Sequence, residues 1–553
     1  MANGTLYMPE TEPNYLDYRG RFKGILGWIL STDHKRIGLL YLYSMGLFLT
    51  VGIFFGFMMR LELIAPGKVI IEPQTYNSFF TLHGIIMIFL FIIPGLPAVF
   101  GNFFLPILIG AKDVAFPRIN LLSWWLFAIG GGLAITSVFL PGGPADTGWT
   151  FYVPYSIRST TNVLPAAFAA FILGFSSILT GINFVTTIHR LRAPGMDWFK
   201  MPLFIWSLYA TAWIQVLATP IIGITLLLVA VERLFGIGLF DPALGGDPVL
   251  FQHLFWIYSH PAVYIMILPA MGVISEIIPV FARRTIFGYS FIAFSSLAIA
   301  FFGSLVWAHH MFTAGMSDTG RFVFSLLTFL VAIPSAIKVF NWIATLYKGS
   351  IQLAPPMLYA LGFIFLFSIG GLTGLMQGAL SINIHIHDTS FIVGHFHYVM
   401  FGGTGFGIFA ALHYWLPKMY GRMYNEKRAK VGFWVLITGF NLLYFPMLVM
   451  GWLGMPRRYY DYLPEFHVYH FISTIGSWIL ITGLLIMAVN LILGVRRGAK
   501  ATDNPWGGET LEWRIQTPPT HENFHEIPVI TGGPYEYKIN ENGQEEKKYE
   551  EVT

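Results

Sequence analysis

About twelve long apolar runs dominate the chain, and they constrain its fold more than any other feature. A helix that crosses the hydrocarbon core of a bilayer needs roughly 20 apolar residues, and lipid offers no partner to a free backbone polar group. Barrel strands would be about 10 residues long and would alternate in polarity. Uninterrupted runs of this length therefore predict an all-α polytopic membrane protein with about twelve transmembrane helices. The runs are 37–60, 79–109, 120–141, 164–188, 203–230, 250–280, 286–309, 322–346, 355–377, 390–415, 431–454 and 470–495.

The composition agrees with a membrane protein and excludes several other classes. Hydrophobic residues make up 55% of the 553 residues and charged residues only 11%, against about 25% charged residues in soluble domains. The formal net charge is +4, so nothing indicates nucleic acid as a partner. The absence of Cys excludes disulfides, iron–sulfur clusters, thiolate copper sites and thiol catalysis within the chain. The chain nevertheless has 16 His, and their placement is the main question.

Basic residues in the loops predict the orientation of the chain. Outside the N-terminal tail, the loops on the N-terminal side carry 18 Lys and Arg residues, and the opposite loops carry 7. By the positive-inside rule, we expect both termini in the cytoplasm. The expected organisation is a cytoplasmic N-terminal segment (1–30), a twelve-helix core (31–498) and a polar, solvated cytoplasmic tail (499–553). The N-terminus lacks the pattern of a cleaved signal peptide.

Two groups of histidines within the apolar runs are candidate metal ligands, because ionisable groups at membrane depth are expensive. His260 and Tyr264 are four residues apart, so their side chains share one helix face. The adjacent pair His309 and His310 ends the seventh run, and both can reach one ion only if it lies between helices. Three neutral imidazoles suit copper, zinc, iron or nickel.

A third group of histidines lies in the tenth run. His395 and His397 project from nearly opposite sides of a helix, so one helix could ligate two different centres. His83, in the second run, is available as an opposite ligand for one of them. The histidines that fall in loops or tails have no expected metal role, and these are His34, His189, His467, His470, His521 and His525.

Several motifs resemble one known family, subunit I of the haem-copper oxygen reductases, and specifically an aa3-type cytochrome c oxidase. The resemblance runs from about Ser31 to Pro519. The motifs that carry it are Ser31-Thr32-Asp33-His34-Lys35, Gly110-Ala111-Lys112-Asp113-Val114-Ala115-Phe116-Pro117-Arg118, Trp307-Ala308-His309-His310, His387-Asp388-Thr389, His395-Phe396-His397, Gly454-Met455-Pro456-Arg457-Arg458-Tyr459, Asn504-Pro505-Trp506-Gly507 and Leu511-Glu512-Trp513. The resemblance implies twelve helices that enclose two haems and copper B, and the reduction of O2 to water.

The resemblance implies a role for each of the haem-binding histidines. His83 and His397 would be the axial ligands of the low-spin haem a. His395 would be the one protein ligand of the high-spin haem a3, whose other face stays open for oxygen.

The same resemblance implies the copper site. His260, His309 and His310 would hold copper B opposite the open face of haem a3. Tyr264 would be covalently linked to His260 and would supply an electron and a proton to oxygen cleavage.

Other positions match the family's haem anchors. Arg60 would hydrogen-bond the formyl group of haem a. Arg457 and Arg458 would pair with haem propionates, with Trp149 nearby, because paired guanidinium groups suit carboxylates.

The family also implies two further cations. His387 and Asp388 would help bind Mg²⁺, which would be shared with a carboxylate of subunit II. Glu62 is a weaker candidate for a Ca²⁺ or Na⁺ site at the outer surface.

Proton routes through the apolar core are expected along two paths. Lys338 lies inside the eighth run, where a lysine costs about 3 kcal/mol on insertion scales. With Ser335 three residues earlier and Ser275 on the sixth run, it resembles the K pathway to Tyr264, and Glu276 is a candidate entrance.

The second path resembles the D pathway, with one departure. Asp113, Asn102 and Asn120 match its mouth, but the usual glutamate two residues after the copper ligand is replaced by Ala262. The sequence has Tyr258 and Ser259 instead, which resembles a bacterial variant in which hydroxyl groups relay the proton. The pumping stoichiometry stays open.

Alternative functions are opposed by particular residues. A nitric oxide reductase lacks the linked tyrosine, so Tyr264 and Lys338 oppose it, and a twelve-helix transporter does not need a His-Phe-His motif beside His-His. Quinol oxidases carry polar residues at four positions before the formyl arginine and the haem ligand. Here these positions are Val51, Phe55, Thr75 and Ser78. Cytochrome c is therefore favoured as the electron donor.

The expected partners follow from what the chain lacks. Without Cys, the copper A centre must lie on subunit II, and no c-type haem is attached to this chain. We expect subunit II, subunit III and small subunits, with cytochrome c or a cytochrome c domain as donor and O2 as acceptor. Membership of a respiratory supercomplex stays open. The expected location is the bacterial inner (plasma) membrane.

Overall fold

The computed structural model describes residues 13–18, 20, 22–536 and 549–550. Within these residues, eleven helices are long and apolar enough to cross a membrane, and a twelfth apolar helix is shorter. In chain order they are α1 (His34–Glu62), α2 (Pro73–Leu108), α3 (Pro117–Thr136), α4 (Val163–Arg190), α5 (Leu203–Phe235), α6 (Pro248–Ala282), α7 (Tyr289–Gly303), α8 (Asp318–Leu346), α9 (Pro355–Gly378), α10 (Ser390–Tyr420), α11 (Glu426–Trp452) and α12 (His467–Arg497). The prediction of an all-α polytopic membrane protein is confirmed.

Outside the membrane-length helices, the described chain contains only short elements. A short helix, Gly24–Ile29, precedes α1, and another, Tyr155–Arg158, lies between α3 and α4. Leu380–Ile386 forms one further short helix between α9 and α10. Two residue pairs, Val529–Ile530 and Tyr549–Glu550, form a minimal antiparallel sheet. The membrane helices therefore determine the architecture.

Helix starts follow local sequence signals. Asp33 precedes α1 and accepts hydrogen bonds from the backbone N–H groups of Lys35 and Arg36. Asp247 and Ser317 cap α6 and α8 in the same way. These side chains satisfy backbone donors that a helix leaves unpaired at its first turn. Proline, which has no N–H to lose, stands first in the helices that begin at Pro73, Pro117, Pro248 and Pro355.

Three helices form the inner layer of the molecule. In the most apolar 18-residue stretch of α6 every residue is buried, and in the same stretch of α2 and α10 83% of the residues are buried. In the other membrane-length helices the buried share is only 17–56%. The inner helices also contain the π-helical segments Ile86–Ile92 and Gly95–Gly101 in α2 and Met400–Gly405 in α10. Such segments occur often at functional sites, and here His83 comes just before the first of them in α2, and His395 and His397 come just before the one in α10.

The seventh apolar run ends its helix earlier than the sequence predicts. The run was expected to continue to residue 309, but α7 ends at Gly303, and Trp307–Met311 forms a 3₁₀ segment. The change of backbone turns both His309 and His310 toward the interior between helices. Hydrophobicity alone does not reveal this break, because the residues after Gly303 remain apolar.

The expectation of a solvated C-terminal tail is wrong for the described part of the tail. Trp506 and Trp513 are buried, and Lys418 of α10 donates from Nζ to the carbonyl of Ile515 at 2.7 Å. The N-terminal segment joins the same layer, since Tyr15 N donates to Pro519 O at 2.9 Å. The residues after 536, except for 549–550, lie outside the described residues. The tail therefore covers one end of the helix bundle.

Candidate functional site

One large cavity lies between the inner helices and has a volume of about 1040 Å³. All six histidines predicted to ligate haem iron or copper line it, and so do the four residues predicted to anchor the haems. These lining residues are His83, His260, His309, His310, His395, His397, Arg60, Trp149, Arg457 and Arg458. The structure therefore brings together, from seven parts of the chain, the side chains that the sequence singled out.

Three histidines form one compact cluster in this cavity. One ligand nitrogen of each of His260, His309 and His310 lies within 4.8 Å of the others, and no other such metal-binding group occurs among the described residues. The Nδ1 of His260 is 3.1 Å from the Nε2 of His310. The ring of Trp256 stacks on the imidazole of His310 with ring centres 3.7 Å apart, and this contact restricts the orientation of the imidazole. Imidazole nitrogens that converge in this way suit a transition metal such as copper.

Two ring nitrogens of this cluster that do not face the other histidines, His309 Nδ1 and His260 Nε2, lie next to hydroxyl groups. His309 Nδ1 lies 3.0 Å from Thr328 Oγ1, whose own proton goes to the carbonyl of Phe324. The imidazole must therefore donate from Nδ1, which leaves the Nε2 lone pair for a metal. Tyr264 OH lies 2.8 Å from His260 Nε2, while His260 Nδ1 faces the cluster. The same-face spacing of His260 and Tyr264 thus becomes a direct contact.

The two axial candidates for the low-spin haem are both tied to backbone carbonyls. His83 Nδ1 donates to Gly52 O and His397 Nδ1 donates to Val393 O, each at 2.8 Å. A carbonyl cannot donate, so the proton must lie on Nδ1, and each Nε2 keeps a lone pair. His397 also stacks on Tyr444 with ring centres 4.2 Å apart. Both side chains fit axial ligation of a haem iron.

His395, two residues before His397, is oriented by a threonine hydroxyl, as His309 is. Its Nδ1 is 3.0 Å from Thr373 Oγ1 of α9, and Thr373 donates its own proton to the carbonyls of Ile369 and Gly370. The His395 Nε2 atom therefore keeps a lone pair that is available to a metal. The sequence did not single out Thr373 or Thr328, because a threonine in a helix usually bonds only to its own backbone.

Arg60 is buried at the end of α1 next to His83. Its Nη2 donates to His470 Nδ1 at 3.0 Å, and its Nε has no hydrogen-bond partner among the described residues. His470 belongs to α12, although the sequence assigned it to a loop with no role. A buried guanidinium with donors to spare fits an acceptor on a ligand in the cavity.

Arg457 and Arg458 lie at the cavity edge beside the candidate magnesium ligands. Arg457 Nη2 pairs with Asp388 Oδ1 at 2.5 Å, and the second oxygen of Asp388 is 3.6 Å from His387 Nε2. Burial would raise the pKa of Asp388, but the charge of Arg457 holds it below its usual range. Burial and the neighbouring Arg457 lower the pKa of Arg458 to about 10. The local charge is positive, which suits carboxylate groups.

Glu62, the weaker cation candidate, already has three backbone partners. Its two carboxylate oxygens accept hydrogen bonds from the N–H groups of Val69, Ile70 and Ile71 at 2.7–2.9 Å. The side chain therefore closes the loop after α1. A bound cation would have to share these oxygens, and the site stays a prediction.

Lys338 is buried in α8, but it does not contact the serines that the sequence suggested. Its Nζ donates to Ile292 O at 2.9 Å and to Ser296 Oγ at 2.8 Å, and both partners are on α7. Ser335 donates to Val331 within its own helix. Sequence reasoning missed Ser296 because the contact joins two helices.

Ser275 and Glu276 point in different directions. Ser275 Oγ accepts a hydrogen bond from Trp342 Nε1 at 3.0 Å. Glu276 Oε1 accepts from Phe204 N at 2.9 Å and from Tyr535 OH at 2.6 Å, so the C-terminal tail covers this carboxyl group. As a proton entrance, Glu276 stays a prediction.

The second candidate proton route contains buried polar atoms without partners. Asn120 has neither side-chain atom paired, and Asn102 Oδ1 and Ser259 Oγ are also unpaired among the described residues. Unpaired buried polar groups usually bind ordered water, which a proton route needs. Tyr258 is buried next to Ser259. Burial and the Asp33 carboxylate raise the pKa of Asp113 to about 7, so this loop carboxyl group can exchange protons near neutral pH.

Comparisons with known proteins agree with this geometry. Residues 36–479 match the family described as "Cytochrome C and Quinol oxidase polypeptide I". The chain is 47% identical over 509 residues to cytochrome c oxidase subunit 1 of Synechocystis sp., with 92% of each chain covered. It is 42% identical to cytochrome c oxidase subunit 1 of Cereibacter sphaeroides over 547 residues, which covers 93% of this chain and 96% of that relative.

A solved structure shows the same fold at lower identity. It is described as a cryo-EM structure of a heme-copper terminal oxidase dimer, and it matches with a TM-score of 0.71 and 22% identity over 85% of each chain. The family match covers most of the chain and includes the entire cavity-lining set of histidines. The chain therefore belongs to the cytochrome c and quinol oxidase polypeptide I family, and it is the catalytic, haem- and copper-dependent membrane subunit of a terminal oxidase.

Proposed function

We propose that this subunit reduces O2 to water with electrons that reach it from cytochrome c through copper A on subunit II. The observation that carries the proposal is the set of free imidazole nitrogens in one cavity. Three converge at His260, His309 and His310, and three more are left free by the hydrogen bonds at Nδ1 of His83, His395 and His397. Six oriented nitrogens match one copper and two haem irons.

The ligand assignment follows from these nitrogens. His83 and His397 would be the two protein ligands of the haem a iron, and His395 would be the one protein ligand of the haem a3 iron. His260 Nδ1 and the Nε2 atoms of His309 and His310 would hold copper B. When bound, these groups supply electron transfer and oxygen binding. The chain's part is to fix their spacing, exclude bulk water and deliver protons.

Tyr264 and Lys338 would deliver protons to the oxygen site. The Tyr264 hydroxyl lies against His260 and borders the cavity, so it can give its proton to reduced oxygen there. A covalent bond from His260 Nε2 to a ring carbon beside the Tyr264 hydroxyl is part of the proposal; it would replace one N–H and one C–H bond and release two protons and two electrons, with O2 as the oxidant. The contact of 2.8 Å between Tyr264 OH and His260 Nε2 supports it. Lys338 would reprotonate Tyr264 along the K route, in which we propose Ser296 in addition to Ser335, Ser275 and Glu276.

A second route would begin at Asp113 and pass Asn102 and Asn120. Tyr258 and Ser259 would replace the missing carboxyl group at its inner end. Protons for water formation and for pumping would enter here. Because each charge moved against 100 mV stores about 2.3 kcal/mol, leakage along the route must be prevented, and a hydroxyl relay can pass a proton without holding a charge.

The haem anchors and the peripheral cations complete the proposal. Arg60 would donate to the formyl group of haem a, and Arg457 and Arg458 would bind propionates beside Trp149. His387 and the free oxygen of Asp388 would bind Mg²⁺ with a carboxylate from subunit II. Ca²⁺ or Na⁺ at Glu62 is the least supported member of this set.

The location and partners are proposed in the same terms. We place residues 31–498 as a twelve-helix core in the bacterial inner membrane, with segments 1–30 and 499–553 in the cytoplasm. Subunit II with copper A, subunit III, small subunits and cytochrome c or a cytochrome c domain would be the partners. A supercomplex is compatible with this arrangement.

Pigment and metal analysis of the purified complex tests this function directly. We expect two haems of type a and copper B in addition to copper A, and O2 consumption with reduced cytochrome c. The His395→Ala variant should lose the CO-binding spectrum of the high-spin haem and keep the low-spin band, whereas an exposed control, His467→Ala, should keep both. Two haems of type b, or oxidation of quinol in place of cytochrome c, would contradict the proposal.

A further inference from the structure

His470 is the feature of the cavity that the ligand and proton assignments leave without a role. It lies in the first turn of α12, is buried, and lines the same cavity as Arg60 and His83. Its Nδ1 accepts a hydrogen bond from Arg60 Nη2 at 3.0 Å. Its Nε2 is buried without a hydrogen-bond partner among the described residues.

The hydrogen bond determines the chemical form of His470. A guanidinium has only donors, so His470 Nδ1 must be the acceptor and cannot carry a proton. A doubly protonated imidazole would place two like charges in contact inside the membrane, which is unfavourable. His470 is therefore the neutral tautomer with its proton on Nε2, where it can donate to a group in the cavity.

α12 holds Arg60 at two points. His470 binds the guanidinium, and Thr474, one turn later, donates from Oγ1 to the backbone carbonyl of Arg60 at 3.0 Å. The imidazole is itself held by the ring of Tyr462, whose centre is 4.0 Å away, and Tyr462 OH donates to Leu63 O at 3.1 Å. The rotamer of Arg60 is thus fixed from a different helix.

Among the residues that the structure describes, no carboxylate pairs with Arg60 to fix it instead. No ion pair of Arg60 occurs among the described residues, and its Nε is buried without a partner. A long charged side chain in this position has several rotamers, and ordering it costs free energy. His470 removes that freedom and leaves donors of the guanidinium for a ligand acceptor.

We infer that His470 is a positioning residue that aims Arg60 at the carbonyl substituent of the low-spin haem and thereby sets the spectrum and potential of that haem. The inference rests on the proposed function, since it requires a haem with a formyl group between His83 and His397. It adds a residue on α12 to the site and gives the neutral imidazole a defined role. Small changes in a hydrogen bond to a haem substituent alter its electronic properties.

The test uses the purified holo-complex with three substitutions. His470→Phe keeps a ring for Tyr462 but removes the acceptor. His470→Gln offers an amide oxygen to Arg60. His467→Phe, one turn earlier and exposed, is the matched control. The measurements are the formyl C=O stretch of the low-spin haem by resonance Raman, its reduced absorption band and its midpoint potential.

The expected result separates the variants. In His470→Phe the formyl stretch should move to higher wavenumber and the reduced band to shorter wavelength, because the hydrogen bond from Arg60 is weakened. His470→Gln should restore most of both shifts, and His467→Phe should match the unsubstituted complex. The CO spectrum of the high-spin haem should stay unchanged in all of them. A purely structural role would not be rescued by glutamine in this selective way.

Two other results have different meanings. If His470→Phe leaves the formyl stretch, band and potential unchanged, His470 does not position Arg60 and the inference fails while the proposed function stands. If the unsubstituted complex contains no formyl-bearing haem, the haem assignment itself fails. Should His470→Phe not assemble, His470→Leu provides the same comparison, since leucine also lacks an acceptor.

Discussion

At the scale of single residues, the candidate ligands share one hydrogen-bonding arrangement. His83, His397, His395 and His309 each have Nδ1 engaged by a carbonyl or by a hydroxyl whose own proton is committed elsewhere. This partner fixes the ring orientation and leaves the Nε2 lone pair available, which is how proteins orient metal ligands. The ligand set is therefore organised by the chain itself.

Lys338, for which we propose a role in proton delivery, has its hydrogen-bond partners on a neighbouring helix. A buried ammonium needs acceptors, and Ser296 Oγ is one of its two at 2.8 Å. Ser296→Ala removes the hydrogen bond from the Lys338 ammonium group, which contributes about 1.5–3 kcal/mol. We expect this variant to consume O2 more slowly. Ser295→Ala is the matched control, because Ser295 lies beside Ser296 on α7 and donates to the carbonyl of Phe291 in its own helix. Equal turnover in the two variants would exclude Ser296 from the route.

At the scale of elements, the end of α7 determines the shape of the cavity around Tyr264 and His260. The helix ends at Gly303, and the 3₁₀ segment Trp307–Met311 follows after three residues. Gly303 lies against the ring of Tyr264, and a Cβ at this position would be only 2.4 Å from Tyr264 Cε2. The missing side chain at Gly303 leaves room for the ring of Tyr264, whose hydroxyl contacts His260 Nε2.

Adding one methyl group at this helix end should therefore displace Tyr264. We expect Gly303→Ala to lower O2 consumption by roughly 100-fold, because a shift of about 1 Å in a reacting group can have this effect. The low-spin haem spectrum should remain normal, which shows that the protein is folded. Gly132→Ala in α3 is the control, since a Cβ there has no neighbour within 4 Å. Wild-type turnover in Gly303→Ala would disprove this packing argument.

At the scale of the whole molecule, three inner helices pack among nine outer ones within the described residues, and the described part of the C-terminal tail covers one end. The tail contributes buried aromatic residues and reaches the interior at Tyr535, whose hydroxyl accepts from Leu203 N at 2.7 Å and donates to Glu276 Oε1 at 2.6 Å. Burial and the carboxyl group of Glu276 raise the pKa of Tyr535 well above its usual value, so the hydroxyl keeps its proton.

Removing this hydroxyl should loosen the tail. Tyr535→Phe leaves the Leu203 N–H without its acceptor, at a cost of about 1–3 kcal/mol. The rate at which a protease cleaves the tail should rise about tenfold for each 1.4 kcal/mol by which the docked tail is destabilised. This holds when the tail undocks and redocks faster than it is cleaved. Tyr459→Phe, whose ring is exposed, should be cleaved at the wild-type rate. Unchanged cleavage in Tyr535→Phe would show that the tail is held by its apolar contacts alone.

The amino-acid sequence by itself determined the membrane class, the position of the helices and the six histidines of the cavity. These depend on local patterns, since hydrophobic length and the four-residue spacing of His260 and Tyr264 are properties of neighbouring residues. Only the tertiary structure decided the contact of Lys338 with Ser296, the contact of His470 with Arg60 and the docking of the tail. Each of these joins residues from different helices or from far along the chain, and the periodicity of a single helix contains no information about which surface it meets.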